Sequence, residues 1–209
     1  MNFRTYTPAG YADYADYKKI SLLTFFNQLI SNLHCQQSLQ EIFFENILEM
    51  IVIVMGVSGS GKSTIAEGIS QTLKLPLYDA DDFHPITNIK KMATGQPLND
   101  EDRKPWLEEL ANHLANCELE KGAVLACSAL KERYREVLAS KVQSSKLIYL
   151  DGNFDLIFNR MNNRKGHFMK AEMLQSQFDA LEIPIYGLHV DISKPIEEII
   201  ETITQYLKF

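Results

Sequence analysis

Between Gly56 and Ser63 the chain reads Gly-Val-Ser-Gly-Ser-Gly-Lys-Ser, meeting the spacing G-x-x-x-x-G-K-[ST] at every constrained position. A loop of this kind holds the phosphates of a nucleoside triphosphate. Its glycines let successive backbone N–H groups curl around a phosphate, and the following helix adds the partial positive charge of its N-terminus. The expected nucleotide contacts are Gly56, Ser58, Gly59, Ser60, Gly61, Lys62, Ser63 and Thr64. Lys62 should reach the β- and γ-phosphates, and the Ser63 hydroxyl should take a place on Mg²⁺. A glycine-rich turn can match such a spacing by chance. Here an apolar run precedes the loop directly and a helical pattern follows it, which is the context the chemistry needs.

A second cluster, Asp79-Ala-Asp81-Asp82-Phe-His84-Pro85, closes the next apolar run. One carboxylate there can hold a Mg²⁺-bound water and another can accept the proton of an attacking hydroxyl. Asp and His-Pro are also ordinary turn residues. Three carboxylates within four positions repel one another unless a cation or a donor compensates, which favours the chemical reading.

The elements that must position these groups follow from periodicity. Ile51–Met55 reads as a buried strand, Ser63 to about Leu75 as a helix and Leu75–Tyr78 as a second strand. Pro105 is expected in the first turn of a helix that turns Trp106, Leu107, Leu110, Leu114 and Cys117 inward. Ala123–Cys127, Leu147–Leu150 and Leu188–Ile192 complete five strands, and a helix over Ile196–Leu207 closes the chain. Strands separated by helices imply an α/β fold with a parallel sheet covered on both faces and ligands at the strands' carboxyl ends.

The 209 residues carry 21 Lys and Arg against 27 Asp and Glu, a net charge of −6. That balance gives no overall pull toward nucleic acid. The three cysteines, Cys35, Cys117 and Cys127, are odd in number and far apart, so reduced thiols in a cytoplasmic protein are expected. No apolar run is long enough for a membrane partner. Residues 1–49 differ from the rest: they hold nine of the 21 aromatic residues and only three basic ones. They read as a helical extension of unknown function, packing on the main domain or on a second copy. Alternatively Met50 is the true start. On either reading, residues 50–209 are expected to carry the catalytic domain.

The stretch Asp79-Ala-Asp81, His84-Pro85, Asn88, Lys91-Met92, Gly95, Pro97-Leu98 and Asp100-Glu-Asp102-Arg103-Lys-Pro105-Trp106-Leu107 resembles the gluconate kinases of the phosphate-loop class. Cys127-Ser-Ala-Leu-Lys131, Tyr134-Arg135, Arg160, Arg164-Lys-Gly-His167-Phe168, Ser176-Gln177-Phe178, Leu181-Glu182 and Pro184 extend the match in order. The resemblance implies ATP- and Mg²⁺-dependent phosphorylation of D-gluconate at its 6-hydroxyl. It implies a P-loop NTPase fold like that of the nucleoside monophosphate kinases, with a five-stranded parallel core, a substrate flap and a lid near residues 160–170. A homodimer is also implied.

On that chemistry, Asp81 is the candidate for the reacting hydroxyl and Asp79 for the metal-bound water, with Asp82 as the alternative. Lys131 and Arg135, four apart on one helical face, are candidates to clamp the acceptor's carboxylate. His84, Asn88, Lys91 and Arg103 would line the flap, while Met92 and Trp106 read as packing residues. Arg160 and Arg164 would neutralise the transferring phosphoryl group from the lid. Three departures stand out. Ala80 replaces a frequent glycine, no aspartate closes the third strand, where Ser128 stands, and the segment from Glu182 to Asp191 is short. The rival readings are another small-molecule kinase, acting on shikimate or a nucleotide, and an ATP-binding module without catalysis.

Overall fold

The computed structural model describes residues 50–163 and 171–208. The expectation of a helical extension over residues 1–49, and most of the expected lid, including Arg164 and His167, lie outside the described residues.

The elements run β1 (Ile51–Met55), α1 (Lys62–Leu73), β2 (Leu77–Asp79), a 3-10 turn (Ala80–Phe83), α2 (Ile86–Ala93), α3 (Asp100–Glu120), β3 (Ala123–Ala126), α4 (Glu132–Ala139), β4 (Ser145–Asp151), α5 (Phe154–Asn162), α6 (Ala171–Ala180), β5 (Leu188–Asp191) and α7 (Ile196–Leu207). The five strands form one sheet in the order β2-β3-β1-β4-β5, with every pair parallel. Parallel neighbours need crossover connections, and the helices that supply them cover both faces.

Side-chain alternation along β1 divides the core between the two faces. Val52 and Val54 pack with Ile65 and Ile69 of α1 and Ile199 and Ile203 of α7. Ile51, Ile53 and Met55 pack on the other face with Trp106, Leu110 and Leu114 of α3 and Leu138 of α4. All these side chains are buried. The chain leaves β1 toward β3 and β2, then returns to its other side for β4. The carboxyl end of β1 is therefore the point where strand order reverses, and the crevice there is where an open α/β sheet binds ligands.

Pro105 does not start a helix. The N-cap is Asn99, whose side chain accepts from the Asp102 N–H at 2.9 Å while the Asp102 carboxylate accepts from the Asn99 N–H at 2.8 Å. This capping box starts α3 five residues before Pro105. Pro105 leaves the Glu101 carbonyl without its helical donor, at a point where both residues are exposed to water.

Candidate active site

Val57 to Gly61 turns β1 into α1. At Gly59 φ is +81°, and a Cβ would lie 2.6 Å from Met161 Cγ of α5. At Gly56 a Cβ would lie 2.8 Å from Ser60 Oγ and 3.3 Å from the Leu150 carbonyl. Glycine is required at both places, because the loop is wedged between its own turn and α5. Lys62 folds back to donate to the Val57 carbonyl at 3.1 Å, and Ser63 and Thr64 present exposed side chains at the start of α1.

Among the described residues two buried side-chain polar atoms lack a hydrogen-bond partner, Ser60 Oγ and His84 Nδ1. Both belong to this site. Unsatisfied buried polar groups are rare in folded proteins, so their placement at a ligand crevice is informative.

At the end of β2, the Asp79 carboxylate accepts from the Asp81 N–H at 3.1 Å and opens the 3-10 turn. Ala80 is buried inside that turn, and its carbonyl accepts from Trp106 Nε1 at 2.8 Å. Only Lys74 and Ala129 among the described non-glycine residues have positive φ, so the extra methyl of Ala80 is accommodated without backbone strain.

β3 separates β2 from β1, yet the charges of the two strand ends are felt across it. Burial pushes the Lys62 ammonium below its ordinary value, and Asp81 and Asp79 pull it back up. Cys127, sealed beneath them, is pushed up to about 12 by burial and stays a neutral thiol. The two aspartates are therefore the countercharges of Lys62 at neutral pH. The Asp81 side chain is 88% exposed, with protein mass on the side of the strand ends. Desolvation there, followed by repulsion from Asp79, raises its pKa above the ordinary carboxylate value.

His84 stacks on Trp106 with ring centroids 4.2 Å apart and lies 3.9 Å from the Asp81 carboxylate. Burial keeps its imidazole below its ordinary pKa and hence neutral. Asn88 and Lys91 are both engaged by Asp102. Asn88 is buried and donates to the Asp102 carbonyl at 2.8 Å, and Lys91 donates to the Asp102 carboxylate at 2.5 Å. They tie α2 to the first turn of α3. Met92, expected as packing, is 42% exposed.

A cavity of about 260 Å³ opens beside the strand ends, with Arg103, Ser128, Lys131, Tyr134, Ser176 and Gln177 among its lining. Its floor includes Trp106 and Leu107. Lys131 is the N-cap of α4 rather than a residue on its face, which is why it diverges from Arg135. Its ammonium donates to Asp100 at 3.3 Å. Arg133 and Tyr134 converge on the same carboxylate, and Arg103 stacks over the Tyr134 ring at 5.8 Å. Asp100 thus gathers Lys131, Arg133 and Tyr134 on one carboxylate at the edge of the cavity, a role its position in the sequence does not disclose.

Arg135 is withdrawn from the acceptor clamp. It is 3% exposed, and its guanidinium donates to the carbonyls of Ala129 at 2.9 Å, Leu130 at 3.1 Å and Glu182 at 2.9 Å, and to the Glu132 carboxylate at 2.5 Å. These bonds hold the β3–α4 loop, including Ala129 at φ +44°, against the segment after α6. Arg135→Ala should therefore lower unfolding free energy by about 3 kcal/mol or more, since three carbonyls lose their donor together. Urea unfolding reads this out. A variant of unchanged stability with only a raised acceptor KM would return Arg135 to the clamp.

Arg160 lies on α5, next to the Met161 that abuts Gly59, and donates to the Ile192 carbonyl at 2.6 Å. One end of its guanidinium is anchored at the end of β5. On the other side of the loop, Gln177 of α6 accepts from the Ser58 N–H at 2.7 Å and donates to Ser58 Oγ at 2.9 Å. Ser176 and Gln177 carry the resemblance noted above, but spacing alone assigns them no partner. Ser128, which stands where an aspartate would close β3, offers its carbonyl to the Gly56 N–H at 3.4 Å.

Comparison with known proteins places this geometry. The family profile described as "Shikimate kinase" matches residues 58–207. The chain is 43% identical over 163 residues to the thermoresistant gluconokinase of Escherichia coli (strain K12), covering 76% of this chain and 93% of that protein. It is 41% identical over 179 residues to the probable gluconokinase of Mus musculus, covering 76% and 97%. The chain belongs to the gluconokinase family. Its fold superposes on the crystal structure of a gluconokinase from Sinorhizobium meliloti 1021 with a TM-score of 0.70 and 37% identity, over 77% of this chain and 92% of that one. As a gluconokinase-family member it is a P-loop kinase, and the loop around Lys62 is its nucleotide site. No helix among the described residues is long and apolar enough to cross a membrane.

Proposed function

We propose that residues 50–209 transfer the γ-phosphoryl group of ATP to the 6-hydroxyl of D-gluconate, giving 6-phosphogluconate and ADP. The observation that carries the acceptor is identity of 43% and 41% over 93% and 97% of the length of proteins named gluconokinase and probable gluconokinase. The cavity, together with the end of β2, supplies a physical reason. A polyol that ends in a carboxylate needs cations at one end and a proton acceptor at the other. Lys131 and Arg103 meet the first need, and Asp81 at the β2 end meets the second.

In this reading the loop N–H groups and Lys62 hold the β- and γ-phosphates. Asp81 accepts the 6-hydroxyl proton as the new O–P bond forms and the bond to the β-phosphate oxygen breaks. Lys62 and the anchored Arg160 face the charge that accumulates, with Arg164 a further candidate. Most of the barrier reduction is alignment and charge stabilisation, as in other phosphoryl transfers. His84 acts by fixing the Asp81 turn against Trp106.

A Mg²⁺ ion fits the donors present. Magnesium takes one or two protein oxygens and fills its shell with phosphates and water. No group of three or more ligating side chains is present among the described residues, while the exposed Ser63 side chain and the Asp79 carboxylate offer hard oxygens. Ser63 would hold the ion directly and Asp79 through water. When bound, the ion would neutralise charge on the phosphates.

The homodimer rests on the resemblance and the cytoplasmic location on the few, widely spaced cysteines, and sizing the purified protein tests the first. For the acceptor, ADP formation with ATP and Mg²⁺ should be fastest with gluconate across a panel including shikimate, other sugar acids and nucleoside monophosphates. Faster turnover of shikimate or a nucleoside monophosphate would overturn the assignment. Tight ATP binding with no acceptor phosphorylated would mark a silent binding module.

A further inference from the structure

One helix touches both substrate sites. On α6, Ser176, Gln177 and Ala180 line the cavity read above as the acceptor site. The same Gln177 makes two reciprocal hydrogen bonds to Ser58, at 2.7 and 2.9 Å, across 119 residues of sequence. A carboxamide has two N–H donors and two acceptor lone pairs. Ser58 takes one donor and one acceptor, so one of each is left on a side chain that lines the cavity. Ser58 stands at the third position of the phosphate loop, where its backbone orientation helps set the direction of the N–H groups that follow.

We propose that Gln177 is a positioning residue that couples the two substrates. By fixing Ser58 from a helix that also walls the acceptor cavity, it makes gluconate and nucleotide each raise the other's affinity. An acceptor lodged against Ser176 and Gln177 orders α6, and the ordered carboxamide holds the loop ready for phosphate. Reciprocity is a thermodynamic requirement: whatever factor gluconate applies to the nucleotide, the nucleotide applies to gluconate. The inference rests on the acceptor reading above. It assigns to Gln177 a role in affinity and alignment, without contact to the reacting atoms.

The test is calorimetric binding of a non-hydrolysable ATP analogue with Mg²⁺, with and without saturating gluconate. In the unaltered full-length chain gluconate should tighten the analogue by about 5- to 20-fold, a usual size for coupling between sites. In Gln177→Leu that ratio should fall to within about twofold of one while the analogue still binds, losing most of a coupling of that size. Ser58→Ala deletes only the Oγ bond and should give an intermediate ratio, which keeps the test alive if Gln177→Leu folds poorly. A simple packing role for Gln177 would lower thermal stability and leave the ratio unchanged. Unaltered protein that binds gluconate with no coupling, or variants that retain the full ratio, would overturn the inference alone. Unaltered protein that binds no gluconate would overturn the acceptor reading, and this inference with it.

Discussion

Replacing Asp81 by asparagine should lower kcat for gluconate phosphorylation by about 10²- to 10⁴-fold, the usual contribution of a positioned general base. Affinity for ATP should change little, because the proposed nucleotide contacts, the loop around Lys62 and Arg160 of α5, lie on the far side of β3. Asparagine keeps the size of the side chain, and the Asp79 bond to residue 81 is to its backbone N–H, so the turn survives the change. The pH profile gives a second signature. Desolvation and Asp79 raise the Asp81 pKa above its ordinary value of 3.8. The acid limb of kcat/KM should therefore lie above that value in the unaltered enzyme and disappear in Asp81→Asn. The sign for stability is opposite. A carboxyl whose pKa is raised on folding favours the folded state as pH falls through the raised value. Loss of activity on that limb should accordingly precede any loss of structure, and circular dichroism over the same pH range reads the difference. Unchanged turnover in Asp81→Asn would move the base to Asp79 or Asp82.

Replacing Lys62 by methionine should reduce kcat by about 10³-fold or more, as expected when a preorganised charge that meets the transferring group is removed. ATP should bind more weakly as well, since the same ammonium meets the ground-state phosphates. The resting protein should not be weakened. Burial lowers the Lys62 pKa, so holding the charge there costs folding free energy that Asp81 and Asp79 only partly return. Methionine fills a similar volume without that cost, and the melting temperature of the ligand-free protein should hold or rise. Differential scanning calorimetry beside steady-state kinetics separates the two effects. A variant that loses activity because it unfolds would show that Lys62 supports the loop rather than the reaction.

Much of the scaffold is legible in the order of residues. Buried parallel strands must be short apolar runs, and each of the five is located to within two residues at either end. The phosphate loop is legible for a stronger reason. Its chemistry needs fixed residue types at fixed spacing, and the wedge of Gly59 against Met161 shows the steric side of that demand. Pro105 misleads because proline suits a first turn, while the Asn99–Asp102 capping box, a signal of the same length, sets the true start.

Side-chain destinations are harder to read. Lys131 and Arg135 have the spacing of neighbours on a helix, yet α4 begins between them, so one lines the cavity and the other is buried among carbonyls. Asn88 and Lys91 are spent on Asp102, and Asp100 gathers Lys131, Arg133 and Tyr134. Such pairings span 11 to 34 residues, and no local pattern encodes them. Gln177 and Ser58, 119 residues apart, are the extreme case.

The most direct test of the central claim is the product itself. Purified chain, ATP, Mg²⁺ and D-gluconate should yield ADP and a phosphorus signal coupled to the protons of carbon 6, read by two-dimensional phosphorus–proton NMR. Phosphate on another carbon would contradict the placement of Asp81 against the 6-hydroxyl, and no phosphorylated gluconate, with shikimate or a nucleotide phosphorylated instead, would contradict the acceptor.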